Sequence, residues 1–277
     1  MTRGQTLSKH PPVTTLPLWR KSMRDSRLGL LGWTLGHVGT VLLYLPFYPS
    51  IGSNANMQAF FTDFPSEVVT IFGLDQLGSG AAYTQATYFG LVAFLLMAIA
   101  AISWGAAAIA GDEESGQLEL TMAHGVGRAQ VVRERALALV TKVAVVVVLA
   151  SLAVWLLNDY AELELTATNV VAVSVALVGL SVTVGMAALA AGAVSGRRTV
   201  ATTVGAGVAV MGYVLDAVSQ TAHLPWLASF SPYHWAFGAS PIVNGFDGAG
   251  LSLLAAAATV FLVVAVAGFV RRDVGTG

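Results

Sequence analysis

Six stretches of the chain are continuously apolar: residues 28–48, 85–110, 136–157, 170–194, 199–218 and 249–270. A helix needs about 20 apolar residues to cross the ~30 Å of bilayer hydrocarbon, so the pattern predicts six transmembrane helices. The runs do not alternate apolar with polar, which argues against the strands of a membrane barrel. The second, fourth and sixth stretches hold no formal charge. Lys142 lies near the start of the third and Asp216 near the end of the fifth, so both side chains are expected to snorkel to an interface. The first stretch follows a long polar segment and is too long for a signal-peptide core, so it reads as an anchor.

The segments between the spans carry patterns of their own. In residues 14–27, Leu16, Trp19 and Met23 share one helical face, and Arg20, Arg24 and Arg27 share another. That spacing predicts an amphipathic helix lying on the membrane. Residues 49–84 are mildly amphipathic, with Phe60, Phe61, Phe64 and Phe72. Residues 219–248 combine Trp226, Phe230, Tyr233, Trp235 and Phe237 with breaks at Pro and Gly. Short re-entrant or interfacial helices suit that mixture better than a seventh span.

Charge orders these segments. Once six spans are drawn, all 14 Lys and Arg residues fall on one side of the membrane. The opposite loops carry none, but hold Asp63, Glu67, Asp75, Asp159, Glu162, Glu164 and Asp247. Positive charge is retained in the cytoplasm, so both termini are expected there, in a multi-pass protein of the cell membrane. The expected organisation is a cytoplasmic N-terminus over 1–27, a membrane domain over 28–270 and a tail over 271–277. Within it, the inner loop spans 111–135 and the outer loops span 49–84 and 219–248.

Composition agrees. The chain is 56% apolar and 10% charged, against ~45–50% and ~25% for a soluble domain, which excludes a soluble enzyme. The formal charge of −1 points to no nucleic-acid partner, and the absence of cysteine removes thiolate chemistry. The five histidines show no metal-ligand spacing, and no G-x-x-x-x-G-K-[ST] motif is present to cradle nucleotide phosphates.

The inner loop is the most informative stretch. Asp112, Glu113 and Glu114 end the second span, where three carboxylates oppose the helix dipole and call for cationic partners. The basic residues of 20–27 lie on the same side and are the expected partners. Ser115-Gly116 breaks the chain, Leu118, Leu120 and Met122 form a short amphipathic stretch, and a new helix starts near Ala129.

This loop resembles that of the permease subunits of ABC-2 type exporters. Glu113, Glu114, Gly116, Leu118, Glu119, Leu120, Ala123, Val126 and Arg128 carry the resemblance. The chain departs from the family at Gln117 for Thr, Thr121-Met122 for a Leu pair, Gly125 for Pro and Gly127 for Ser. Phe230, Ser231, Pro232 and Tyr233 are similar to the Ser-Pro-Phe segment before the family's last span.

The resemblance implies an all-α fold: six transmembrane helices, an amphipathic elbow helix, and short outer gate helices before the last span. Trp19, Arg20, Arg24 and Arg27 would mark the elbow. Glu113, Glu114, Gly116, Leu118, Glu119, Leu120 and Arg128 would couple the chain to a cytoplasmic ATPase. Phe230, Pro232 and Tyr233 would belong to the outer gate. Two ATPase copies and a second six-span subunit, identical or related, are the implied partners. ATP and Mg would be bound by the ATPase, with no cofactor or metal in this chain.

Trp33, His37, Tyr88, Trp104 and Tyr213 are candidates for a substrate path, and equally for bundle packing. The scarcity of charge deep in the spans favours an apolar or amphiphilic cargo, drug-like or lipid-like, moved out of the cell. Three alternatives stay open at this level: a membrane enzyme acting on lipid-linked substrates, a non-catalytic accessory subunit, and a channel or secondary transporter, the last disfavoured by the lack of midplane ionisable residues for ion coupling.

Overall fold

The computed structural model describes residues 16–52, 79–123 and 125–272, so the phenylalanine-rich part of the 49–84 loop lies outside the described residues. A short helix α1 (Pro17–Asp25) leads into the first span, α2 (Arg27–Tyr44), which runs on through a 3-10 turn at Leu45–Phe47 and a last turn at Tyr48–Gly52. The second span, α3, covers Gly80–Glu114. The short α4 (Gln117–Ala123) separates it from the third span, α5 (Arg128–Leu157). Spans four and five are α6 (Ala167–Ser195) and α7 (Arg198–Thr221). Three short helices follow, α8 (Pro225–Ala228), α9 (Pro232–Phe237) and α10 (Pro241–Asn244), before the sixth span, α11 (Gly248–Arg271). No strand occurs among the described residues.

The helix boundaries follow from local chemistry. Ser79, Thr166 and Asp247 cap α3, α6 and α11, each side-chain oxygen accepting a backbone N–H two or three residues on. Proline opens α1, α8, α9 and α10, where its missing N–H costs no intrahelical bond. Gly196, at φ +68°, closes α6 in the left-handed conformation that glycine adopts freely. The third span starts eight residues before its apolar run, because Arg128 to Arg135 form its first turns at the basic end.

The fourth span is the hub of the bundle. α3, α5, α7 and α11 all pack on α6, and 72% of its apolar window is buried. Small residues allow this: a Cβ added at Gly105 of α3 would sit 2.2 Å from the carbonyl oxygen of Gly185 on α6, so the two backbones touch. The first and sixth spans lie at the periphery, with only 17% of each apolar window buried. Leu28, Leu31 and Leu35 of α2 and Val260, Val263 and Val264 of α11 face outward, as suits helices in contact with lipid. The second span widens twice into π-helical turns, at Gln85–Ala93 and Ala107–Gly111, next to the two clusters described below.

Candidate functional site

At the basic end, the three carboxylates that close α3 each bind a different span. Asp112 pairs with Arg135 of α5. Glu113 pairs with Arg272, just past the end of α11. Glu114 accepts the backbone N–H of Arg198, the first residue of α7, at 2.8 Å. This last bond places an anion at a helix N-terminus, where the dipole favours it. Arg272 also lies against Gly196, and its carbonyl accepts a bond from Arg128. The carboxylates therefore clamp spans three, five and six to the second.

That corrects the expectation that they pair with the basic face of residues 20–27. The holder of α1 is Glu134, which is 2% exposed and was not singled out in the sequence. Its Oε2 accepts the backbone N–H groups of Leu18 and Trp19 at 2.8 and 3.0 Å, and Gln130 donates to its Oε1 at 2.8 Å. A carboxylate on the first turn of α1 satisfies two donors that no helix can satisfy internally. The indole N–H of Trp19 adds a bond to Thr141 at 3.1 Å. The face of α1 buried against the bundle is Leu18 and Ser22, while Leu16 is exposed and Trp19 and Met23 are half-buried. Arg20, Arg24 and Arg27 line a shallow outer hollow with Trp19 and Met23.

Helix α4 hangs between α3 and α5 by a left-handed Gly116, at φ +71°, on one side and a left-handed Gly125, at φ +75°, on the other. Leu118 is fully buried in the bundle, whereas Glu119 and Leu120 are exposed.

The aromatic path candidates form two separate groups. Trp33 and Trp104 meet edge to face with ring centroids 6.5 Å apart across α2 and α3. His37 and Tyr88, both completely buried, lie along the same seam, with Nδ1 of His37 3.2 Å from the Tyr88 hydroxyl. Tyr213 lies elsewhere, on α7, where its ring meets Tyr233 of α9 at 5.2 Å.

At the opposite end, α9 is fastened by hydrogen bonds to two spans, α7 and α3. Ser231 caps it by accepting the N–H of His234 at 2.9 Å, and its hydroxyl donates to the Gly212 carbonyl of α7 at 2.6 Å. The Tyr233 hydroxyl donates to the Gly90 carbonyl, inside the π-helical turn of α3, at 2.8 Å. Gln85 of α3 links α9 to α10, accepting the N–H of Ile242 at 3.3 Å and donating to the carbonyl of Phe237 at 3.4 Å. Pro232 starts the helix, and Phe230 is 67% exposed beside Trp226.

The two charges expected to snorkel are both buried. Lys142 is 7% exposed, with its Nζ 5.9 Å from the centroid of the Trp104 ring. Asp216 is 6% exposed, and its carboxylate meets His234 and Gln220. Distance along the chain alone predicts snorkelling, whereas a neighbouring helix supplies each group with a polar or aromatic neighbour. Among the described residues no three His, Asp or Glu side chains converge as metal ligands would.

Six membrane-length helices, a hub span threaded with small residues and short helices folded over one end define a multi-pass membrane protein. Residues 16–274 match the profile of the ABC-2 family transporter proteins, and the chain belongs to that family. It is thus the membrane-spanning component of an ABC transporter, a class that normally works with a separate ABC ATPase and is not itself an enzyme. A search of curated proteins finds no match.

Proposed function

We propose that this chain is the permease of an ATP-driven exporter that moves an apolar or amphiphilic, drug-like or lipid-like substrate out across the cell membrane. The basic end faces the cytoplasm and carries both termini. Two such six-span subunits enclose the path, and two ATPase copies dock beneath them and bind the ATP and Mg. α1 is the elbow helix, α4 is the coupling helix with Glu113, Glu114, Gly116 and Arg128 at its joints, and Phe230, Pro232 and Tyr233 belong to the outer gate. Trp33, His37, Tyr88, Trp104 and Tyr213 flank the path.

The observation that carries this reading is the mounting of α4. Leu118 anchors it in the bundle while Glu119 and Leu120 face away. The helix begins three residues after the last of the carboxylates that clamp three other spans. A docked partner pushing on α4 would therefore push on the whole end of the bundle.

The test is transport by the complex of this chain with its ATPase, reconstituted in vesicles and loaded with a fluorescent amphiphile. Leu120→Asp is expected to abolish ATP-dependent dye movement and substrate-stimulated hydrolysis while insertion and basal hydrolysis persist. Unchanged transport by that variant would remove α4 from the coupling role.

A further inference from the structure

Beside α4 lies a cavity of about 340 Å³, at the lower end of the size range of ligand sites. Its walls come from four helices. α1 and the bend after it supply Lys21, Ser22, Asp25 and Ser26. α3 supplies Trp104 and Asp112, α4 supplies Gln117, and α5 supplies Arg135 and Lys142. One wall is apolar, with Trp104, Ala107, Ala108 and Leu139. The other carries the charges.

Those charges do not balance. Three cations, Lys21, Arg135 and Lys142, face two carboxylates, Asp25 and Asp112. Asp112 is already engaged with Arg135. Lys142 is more than nine-tenths buried, and its ammonium lies beside the face of Trp104; the carboxylates of Asp112 and Asp25 act on it from across the cavity, but it forms no direct hydrogen bond or ion pair among the described residues. The buried Nε of Arg135 also lacks a hydrogen-bond acceptor. A buried cation is strongly unfavourable unless an anion pairs with it, and a buried donor needs an acceptor. Both deficits occur on residues that line the same space, and one small anion with several oxygens would correct them together.

We infer that this cavity binds a phosphate-bearing anion, held by Lys142, Arg135 and Lys21, with its organic portion against Trp104 and the adjoining alanines. Phosphate fits the donor set better than a carboxylate, because it offers several acceptors to cations converging from different helices. The cavity lies where the apolar runs of α3 and α5 give way to charge, the depth at which a bilayer's headgroups sit. The chemistry is that of a phospholipid headgroup or of a free phosphate. The inference does not depend on transport, since it is read by binding alone.

Native mass spectrometry of the detergent-purified full chain, titrated with phosphatidylglycerol or phosphatidylcholine, tests it. Phosphatidylglycerol is expected to be retained in preference to the zwitterionic lipid. Lys142→Met, an apolar replacement of similar length, should lower that retention about tenfold, the loss expected for one charged hydrogen bond. Ala107→Leu fills the cavity without changing charge and should lower it comparably, which keeps the test meaningful if one variant folds poorly. Arg24→Gln, on the outer hollow of α1, should leave it unchanged. Displacement of the lipid by inorganic phosphate, in a Lys142-dependent manner, would assign the site to free phosphate; resistance to displacement would assign it to the headgroup. Equal retention of both lipids, or wild-type retention by both Lys142→Met and Ala107→Leu, would overturn the site.

Discussion

Asp216 of the fifth span and His234 of the short helix α9 meet at 2.7 Å, joining a buried carboxylate to a half-exposed imidazole. The hydrogen bond to Asp216 raises the His234 pKa above its ordinary 6.5, outweighing the burial that lowers it, and the charges of Asp216 and Asp247 add to the rise. Tyr213, Tyr233 and Gln220 complete the surroundings.

The sign follows from linkage. A histidine whose folded pKa is raised contributes stability that is fully present below 6.5 and lost as pH climbs through the folded value. The wild-type melting temperature should therefore fall with rising pH in the window above 6.5. Asp216→Asn keeps a polar partner but removes the anion, so its decline over the same window should be shallower. Parallel pH profiles of the two proteins would show that the pair does not stabilise the fold.

The clamp at the basic end gives a second expectation. The Glu113–Arg272 pair is partly exposed, with side chains 28% and 21% accessible. Its loss should cost more than the ~1 kcal/mol of a surface pair and less than the ~3–5 kcal/mol of a buried one. The double variant Glu113→Ala/Glu114→Ala is expected to insert at normal level and lose substrate-stimulated ATP hydrolysis. Full transport by it would show that the carboxylates do not transmit movement.

Glu134 yields a third. Hydrogen bonds to a charged group are worth about 1.5–3 kcal/mol, and Glu134 receives two from the first turn of α1. Glu134→Ala should release α1, seen as faster hydrogen exchange over residues 17–25 with little change in α5. Protection of α1 equal to wild type would mean that Trp19 and Leu18 hold it without the carboxylate.

Sidedness is directly measurable because the chain has no native cysteine. Cysteines at Ser229 and Ser115, both exposed and at opposite ends, should differ in intact cells. The first should react with a membrane-impermeant maleimide and the second should not. The reverse result would invert the proposed orientation.

The spans were legible because membrane helices advertise themselves by length and apolarity: Ala167–Ser195 and Gly248–Arg271 lie within a few residues of the predicted stretches. The 219–248 region was legible as short helices because Pro225, Pro232 and Pro241 each start one. The partners were not legible. Which cation meets Glu113 depends on how α11 returns to α3 across the bundle, a relation between residues 159 positions apart. Glu134 looked like one charge among Arg128, Arg133 and Arg135, and only the docking of α1 reveals it as a cap. His37 and Tyr88 both count among the path or packing candidates, but nothing in the spacing says that they bind each other.

The second span reaches both clusters without interruption. Glu113 and the Gly90 carbonyl that receives Tyr233 are separated by about 35 Å of helix. Pivoting such a rod by about 5° at one end carries the other about 3 Å, beyond the few tenths of an ångström that a hydrogen bond tolerates. Under the proposed coupling role, a small swing at the clamp would either drag α9 along or tear it from Gly90, and α3 would act as a lever arm whose stroke is read at the opposite end of the bundle.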